Sequence, residues 1–278
     1  MTAAPLRVVR VEDEAGNVGF GESPEDARLD LEGRRTGNPA WRLLGADAAP
    51  AVEVNATIAT ADAAGAGREA AGARAAGFRC LKVKVGLGDD LARLEAVRSA
   101  VGDEVAIRID ANGAWSVKQA VQSLRALAPV GIECCEEPCS GIDAIQRVAD
   151  EVPVPVAIDE TAGAPGALER RVCAAACLKL ARCGGIAHLC EAARRARASG
   201  YELYLASMLD GPLGIAAALH AAAVVQPDRA CGLATLGLFA DRADPLPARD
   251  GRIAVPRGPG LGDGLLEWYA LDPLLEKV

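Results

Sequence analysis

Five charged residues each close an apolar run and recur at nearly regular intervals. They are Lys84, Asp110, Glu136, Asp159 and Lys179, which stand 26, 26, 23 and 20 residues apart. Each interval is about the length of one strand followed by one helix, and parallel α/β barrels carry their chemistry at the carboxyl ends of their strands. Three carboxylates between two amines predict a divalent metal ion held opposite two lysines.

The composition limits the class of protein. The chain has 278 residues, of which 51% are hydrophobic but only 3% are aromatic, so Ala, Leu and Val must fill the core of one large α/β domain. A formal charge of −8 argues against a nucleic-acid partner, because phosphates require a basic surface. No apolar run is long enough to cross a bilayer and the N-terminus lacks a signal-peptide core, so we expect no membrane partner and a cytoplasmic location.

The nine cysteines do not resemble a disulfide framework, because their number is odd and they are scattered through apolar runs. We expect most of them to be small buried hydrophobic residues. Zinc sites built on Cys173 and Cys177, or on the cluster at 134, 135 and 139, are disfavoured because only two histidines are available and no CxxC pair exists.

The remaining pattern predicts a hairpin over residues 6–22 and helices over 24–44 that break at 37–39. A strand–helix alternation then starts at residue 52. The candidate strands are 52–58, 79–85, 105–110, 131–136, 154–159, 176–180, 202–206 and 230–234. Eight such units predict a closed TIM-like barrel, followed after Leu238 by an irregular Pro- and Gly-rich tail.

Lysines in this pattern suggest the reaction class. Lys82 and Lys84 alternate with apolar residues, so both point to one face of their strand, which we expect to be the barrel interior. Burial beside another cation can bring the pKa of a lysine down towards neutral pH and make it a usable base. Lys179 would face the same cavity from the opposite wall. Together with the metal, this predicts proton abstraction next to a carboxylate.

These motifs resemble the enolase superfamily, in particular its muconate-lactonizing subgroup. The resemblance rests on KVK (82–84), IDANGAW (109–115), EEP (136–138), IDE (158–160) and LKLARCGG (178–185). Within that subgroup, ASMLDGPLGIAAALH (206–220) and CGLATLGLF (231–239) are most similar to o-succinylbenzoate synthases of menaquinone biosynthesis. The similarity covers roughly residues 52–262.

The resemblance implies a Mg²⁺-dependent lyase acting on a small-molecule cyclohexadiene carboxylate. Lys84 would remove the α-proton and, as the conjugate acid, assist loss of hydroxide, while Lys179 would stabilise the enediolate. The implied Mg²⁺ ligands are Asp110, Glu136 and Asp159. The implied substrate-binding residues are Lys82, which would alternatively depress the pKa of Lys84, and the weaker candidates Arg108 and Ser207, either of which could instead be structural.

The resemblance also implies a fold: an α/β, TIM-like (β/α)7β barrel with a shortened N-terminal α+β capping segment. We expect the capping segment over residues 1–50, the barrel over 51–238 and a C-terminal tail over 239–278 that packs on the cap. Family members carry a longer cap that closes over the barrel mouth, so an internal deletion is expected after residue 23. Such a change would leave the metal ligands in place while exposing the site to water.

Three alternatives stay open. An N-acylamino acid racemase or dipeptide epimerase would use Lys84 and Lys179 on opposite faces of one carbon, although the acidic DxD motif typical of dipeptide epimerases is absent from residues 202–239. A muconate cycloisomerase is equally compatible with the lysines and ligands. A relative that binds metal without turnover is the third alternative.

Overall fold

The N-terminal segment, residues 6–44, forms a hairpin and two helices in the computed structural model, which describes residues 6–239 and 241–271. Strands β1 (Val9–Glu12) and β2 (Val18–Gly21) pair antiparallel. Helix α1 (Pro24–Thr36) begins where the Ser23 hydroxyl accepts the Asp26 amide, and it ends at Gly37 in the left-handed conformation. The short helix α2 (Ala40–Leu43) follows. The predicted hairpin, helices and break are therefore confirmed.

A seven-stranded parallel sheet follows the short strand β3 (Val52–Glu53). Its strands pair in chain order. They are β4 (Ala56–Ile58), β5 (Cys80–Lys84), β6 (Ala106–Asp110), β7 (Ile132–Glu136), β8 (Val156–Ile158), β9 (Ala175–Lys179) and β10 (Glu202–Ala206). Because every strand runs the same way, all seven carboxyl ends lie at one edge, as in a TIM-like α/β fold.

Helices connect most of these strands. They are α3 (Ala63–Ala75), α4 (Asp90–Val101), α5 (Val117–Leu127), α6 (Ile142–Glu151), α7 (Leu180–Cys183), α8 (Ile186–Ala198) and α9 (Pro212–Val225). Helix α9 is almost entirely buried and rich in alanine, which allows the close packing expected from the composition. Between β8 and β9 the described chain has only a 3₁₀ turn, because Gly163, Pro165 and Gly166 disfavour an α-helix there.

The predicted eighth strand, 230–234, is reduced to two residues. Cys231 exchanges backbone hydrogen bonds of 2.8 and 3.0 Å with Glu53 and Asn55, at the β4 edge of the sheet. Gly232 donates to Leu205 at 2.7 Å and accepts from Ser207 at 3.0 Å, at the β10 edge. Beyond them the chain turns into a 3₁₀ helix over Leu236–Leu238, so no longer strand forms. The two residues nevertheless bond to both edges of the sheet.

Carboxylates of the N-terminal segment cap two sheet-flanking helices. Asp26 accepts the Ile186 amide at 2.9 Å, and Glu25 accepts the Ala187 amide and contacts the His188 ring. The N-cap residue of helix α8 is Gly185, so the helix has no side-chain cap of its own. A Cβ on Gly185 would lie 2.5 Å from the Glu25 carboxylate, so this approach requires glycine. Donors at helix N-termini are otherwise unsatisfied, and they favour negative charge.

Glu22 plays the same part at helix α9. Its carboxylate accepts the Tyr269 hydroxyl, which in turn accepts the Leu213 amide, and the nearby amides of Gly211 and Gly214 lower the pKa of Glu22. Gly211 offers no cap, and a Cβ there would lie 2.5 Å from the Tyr269 oxygen. The N-terminal segment is thus bonded to the starts of two consecutive helices at the edge where the strands end.

The C-terminal part of the described chain also contacts the N-terminal segment. Asp30 of α1 accepts the Leu261 amide at 2.7 Å, and Arg34 donates to the Gly262 carbonyl at 3.0 Å. Strand β11 (Arg252–Ile253) pairs antiparallel with β3. Residues 1–5, 240 and 272–278 of the predicted cap and tail lie outside the described residues. The division into cap, barrel and tail stays a prediction.

The nine cysteines, all within the described residues, are free, and seven of them are buried, as expected from the sequence. Among the described helices, none has the length and apolar character needed to cross a membrane.

Glu22 is predicted to make folding stability depend on pH. Burial raises the pKa of Glu22 from 4.5 to about 7. The hydrogen bond from Tyr269 lowers this pKa in part, and repulsion from Asp210 raises it further. The folded state therefore binds this proton more tightly than the unfolded chain. The stability contributed by protonated Glu22 is complete below about pH 4.5 and is lost as the pH rises to about 7, with a ceiling of about 3 kcal/mol.

Urea unfolding of the wild type and Glu22→Gln at about pH 5 and about pH 8 measures this effect. The wild type should lose stability relative to Glu22→Gln at the higher pH, whereas the exposed control Glu14→Gln should follow the wild type. A parallel pH dependence of wild type and Glu22→Gln would contradict the prediction.

Candidate active site

Strand register brings the predicted site residues together. Lys84 pairs with Asp110 across β5 and β6, and Asp110 pairs with Glu136 across β6 and β7. Asp159 follows the last residue of β8, and Lys179 is the last residue of β9. The five charges thus occupy the ends of five neighbouring strands, where their spacing predicts them.

Three lysines and three carboxylates form one ion-pair cluster. The Lys82 Nζ lies 2.5 Å from Glu136 Oε1 and 2.9 Å from Asp110 Oδ2. The Lys84 Nζ lies 2.6 Å from Asp110 Oδ2, and Lys179 bonds to Asp159 Oδ2. The carboxylates are buried while 11–23% of each lysine side chain is exposed. Buried charges of this kind persist only when they are paired.

At most positions in the cluster, neighbouring charges shift the pKa in the direction opposite to burial. Burial alone would lower the pKa of Lys82, but Glu136 and Asp110 outweigh it and raise that pKa; Asp159 does the same for Lys179. Burial would raise the pKa of Asp110, yet Lys82 and Lys84 hold it below its ordinary value. Burial does raise the pKa of Glu136. The carboxylates therefore keep Lys82 and Lys179 cationic, and a role for Lys82 in lowering the pKa of Lys84 stays a prediction.

The turn after β6 adds a contact that sequence reasoning did not single out. Asn112 has a positive φ of 47°, donates its amide to Asp110 Oδ1 at 2.8 Å and accepts from the Lys84 ammonium at 2.6 Å. Asparagine tolerates this left-handed conformation better than most residues. Asn112 thus orients both a predicted base and a predicted ligand, and its place within IDANG was the available signal.

Glu137 is a second residue that the sequence reasoning passed over. Its φ is 40°, and its carboxylate accepts the amides of Asp159 at 2.7 Å and Thr161 at 3.0 Å, as well as the Thr161 hydroxyl at 2.5 Å. These bonds fix the turn that presents Asp159. Nothing in the EEP string alone distinguishes this supporting role from that of a ligand.

The weaker substrate-contact candidates have structural partners. Arg108 is completely buried, stacks 4.0 Å from the centre of the Tyr204 ring and donates to the Ala230 carbonyl at 3.1 Å. Tyr204 in turn donates to Glu136 Oε2 at 2.9 Å. The Ser207 hydroxyl accepts the Asp210 amide at 2.8 Å. These contacts favour structural roles for Arg108 and Ser207, and substrate contact by either stays a prediction.

Two of the three predicted metal ligands form a compact donor group. Atoms of Glu136 and Asp159 lie, together with the Cys177 sulfur, within 4.8 Å of one another. Asp159 Oδ1 is buried and has no hydrogen-bond partner among the described residues. Asp110 lies outside this group and is paired with Lys82 and Lys84. The oxygens of the three carboxylates suit a hard divalent cation such as Mg²⁺.

Comparison with known proteins gives the family. The family model described as enolase C-terminal domain-like matches residues 65–267. The chain belongs to the enolase superfamily. The resemblance drawn from the motifs is therefore confirmed at that level, and superfamily members use Mg²⁺.

Curated relatives of this enolase superfamily member have different activities. It is 40% identical over 218 residues to o-succinylbenzoate synthase of Mycobacterium tuberculosis. This match covers 74% of this chain and 64% of that protein. It is 33% identical over 218 residues to L-Ala-D/L-Glu epimerase of Clostridium acetobutylicum, covering 75% and 61%. The chain thus spans less than two thirds of the length of these relatives.

Solved structures agree on the fold. A substrate-liganded complex of L-Ala-D/L-Glu epimerase from Bacillus subtilis superimposes with a TM-score of 0.82 at 25% identity, covering 92% of this chain and 89% of that one. Muconate cycloisomerase from Pseudomonas fluorescens gives a TM-score of 0.77 at 31% identity, covering 88% and 72%.

Replacement of Glu137 should destabilise the turn that carries Asp159. Glu137→Ala leaves two amides and a hydroxyl without their buried acceptor, which should lower the free energy of unfolding by about 3 kcal/mol. Glu137→Gln retains one acceptor oxygen and should lose less. Urea unfolding measures both, with the exposed Glu104→Ala as the matched control. Equal stability of Glu137→Ala and the control would contradict this role.

Proposed function

We propose that this chain abstracts a proton from the carbon next to a substrate carboxylate, in the dehydration that forms o-succinylbenzoate from a cyclohexadiene carboxylate. The carrying observation is the placement of Lys84 on β5 and Lys179 on β9, with three buried carboxylates at the ends of the strands between them. Identity of 40% to an o-succinylbenzoate synthase favours this substrate class. The enzyme is then a carbon–oxygen lyase of menaquinone biosynthesis.

Lys84 is the proposed base. Its ammonium is held by Asp110 and Asn112, so its nitrogen has a fixed position at the mouth, and 23% of its side chain remains exposed to an incoming substrate. As a neutral amine it takes the α-proton, and as the resulting ammonium it gives that proton to the departing hydroxide. General base catalysis of this kind contributes about 10²- to 10⁴-fold in rate.

Lys179 supplies positive charge from the opposite wall. Asp159 keeps it cationic, which suits a group that stabilises developing negative charge rather than a second base. The proposed Mg²⁺ ligands are Asp110, Glu136 and Asp159. The bound ion would stabilise the negative charge that develops on the substrate carboxylate.

The proposed framework is a closed (β/α)7β barrel over 51–238, with Cys231 and Gly232 joining its edges. Residues 1–50 form the shortened cap, and residues 239–278 form the tail that packs on it. Contacts of Glu22, Glu25 and Asp26 with helices α8 and α9 support a cap seated beside the mouth. Substrate specificity would then depend on few cap residues.

An epimerase or racemase is the second candidate, because two lysines on opposite walls could exchange protons on both faces of one carbon. Relatives with epimerase activity are also similar to this chain. In the described part of 202–239, the buried Asp210 accepts the Met208 amide at 3.4 Å. No paired DxD carboxylates are available in the sequence there to bind a peptide amine, which disfavours a dipeptide substrate.

Activity is tested by incubating the Mg²⁺-loaded protein with the cyclohexadiene substrate and following formation of the aromatic product. Lys84→Ala should reduce the rate by about 10³-fold, because it removes the base. Lys118→Ala, which changes an exposed lysine on α5, should leave the rate unchanged. Full activity of Lys84→Ala would refute the assignment of the base, and no product from wild type would refute the synthase.

Hydrogen exchange separates the two candidates. An N-acylamino acid racemase should replace the α-hydrogen of N-succinyl amino acids with deuterium from solvent, and Lys179→Ala should abolish exchange from one enantiomer only. The synthase requires one base, so Lys179→Ala should slow product formation without creating this stereochemical difference. Exchange at wild-type level in both Lys84→Ala and Lys179→Ala would contradict a role for either lysine.

A further inference from the structure

Cys177 lies inside the proposed active site, although the proposed reaction does not use it. It precedes Lys179 by two residues on β9, so both side chains point to the same side of the sheet. It is only 1% exposed, and its thiol makes no hydrogen bond within the described part of the chain. The side chain packs in the hydrophobic core, while its sulfur stays without a hydrogen-bond partner among the described residues.

The thiol stands next to two carboxylates of the proposed Mg²⁺ site. Atoms of Cys177, Glu136 and Asp159 all lie within 4.8 Å of one another. In a tetrahedral zinc site, sulfur and oxygen ligands are separated by about 3.5 Å. Shifts of about 1 Å per ligand atom would close the group around such an ion.

Asp159 adds an independent sign of a missing ligand. Its side chain is almost fully buried, and its Oδ1 has no hydrogen-bond partner among the described residues, whereas its Oδ2 bonds to Lys179. An unsatisfied carboxylate oxygen in a buried site costs free energy unless it is paired. The Tyr204 hydroxyl donates to Glu136 Oε2, and the Lys82 ammonium donates to Glu136 Oε1.

We propose that Cys177, Glu136 and Asp159 form a binding site for thiophilic divalent cations of the zinc and cadmium class. Binding converts the thiol to a thiolate, with release of its proton to solvent. Thiolate selects softer ions, whereas Mg²⁺ prefers carboxylate oxygen. The proposed ligands of the thiophilic ion and of Mg²⁺ both include Glu136 and Asp159. The third ligand is Cys177 for the thiophilic ion and Asp110 for Mg²⁺. The two ions therefore exclude each other, and a thiophilic ion inhibits Mg²⁺-dependent turnover.

Cadmium binding to metal-free protein tests this site through the ultraviolet charge-transfer band of a Cd²⁺–thiolate bond. The titration uses a Cys183→Ser/Cys190→Ser background, because these two are the partly exposed cysteines. One Cd²⁺ per chain should give the band, and added Mg²⁺ should weaken Cd²⁺ binding in proportion to its concentration. Cd²⁺ binding that Mg²⁺ does not displace would overturn the shared site.

Adding Cys177→Ser to that background should remove the band. Loss of an outer-shell partner alone weakens metal binding by about 10- to 100-fold, so loss of the sulfur should weaken Cd²⁺ binding at least as much. Mg²⁺ affinity should change by less than about twofold, because Mg²⁺ does not use sulfur. Cys231→Ser, which alters a buried cysteine at the other end of the strands, is the matched control. An unchanged band in Cys177→Ser would overturn the proposal.

X-ray absorption at the cadmium edge provides a measurement that does not depend on the folding of the Cys177→Ser variant. One sulfur and at least two oxygens around Cd²⁺ in the background protein would support the site, and oxygen alone would overturn it. The proposal is separable from the proposed function. Absence of dehydratase activity with an intact cadmium band would refute the synthase and leave the thiophilic site standing.

Discussion

Mutual compensation of buried charge is the interaction on which the rest of the site depends. Lys82, Lys84 and Lys179 balance Asp110, Glu136 and Asp159, so the cluster has no net charge when all six groups are ionised. An unpaired carboxylate at this depth would cost several kcal/mol. Parallel register makes the balance possible because it places the last residues of adjacent strands side by side. Supporting groups such as Glu137 and Tyr204 then restrict where each carboxylate can move.

The N-terminal segment is bonded to the same part of the molecule. Its carboxylates accept the first amides of α8, the second helix after the strand carrying Lys179, and Glu22 lies beside the first amides of α9, the helix that follows the strand carrying Tyr204. Both helices have glycine as the N-cap residue and therefore no side-chain cap of their own. Attachment of the segment thus depends on acids that are buried or partly buried, and burial raises the pKa of Glu22.

Two proposed ligand sets overlap at the centre of the cluster. The hard set contains Asp110 and suits Mg²⁺, whereas the group with Cys177 is the more compact one within the described structure. Glu136 and Asp159 belong to both. Proposed chemistry and proposed inhibition therefore follow from the same two carboxylates, with the identity of the third donor selecting the ion.

The sequence by itself determined the parallel α/β fold, the hairpin and helices before it, and the strand ends that carry Lys84, Asp110, Glu136, Asp159 and Lys179. Periodicity reports these features because burial alternates along strands and charges stand where strands end. The tertiary structure decided the rest: the two-residue eighth segment, the absence of an α-helix between β8 and β9, and the contacts of Asn112, Glu137 and Cys177. These depend on distances between residues far apart in the chain, and neither residue type nor spacing specifies which side chains meet.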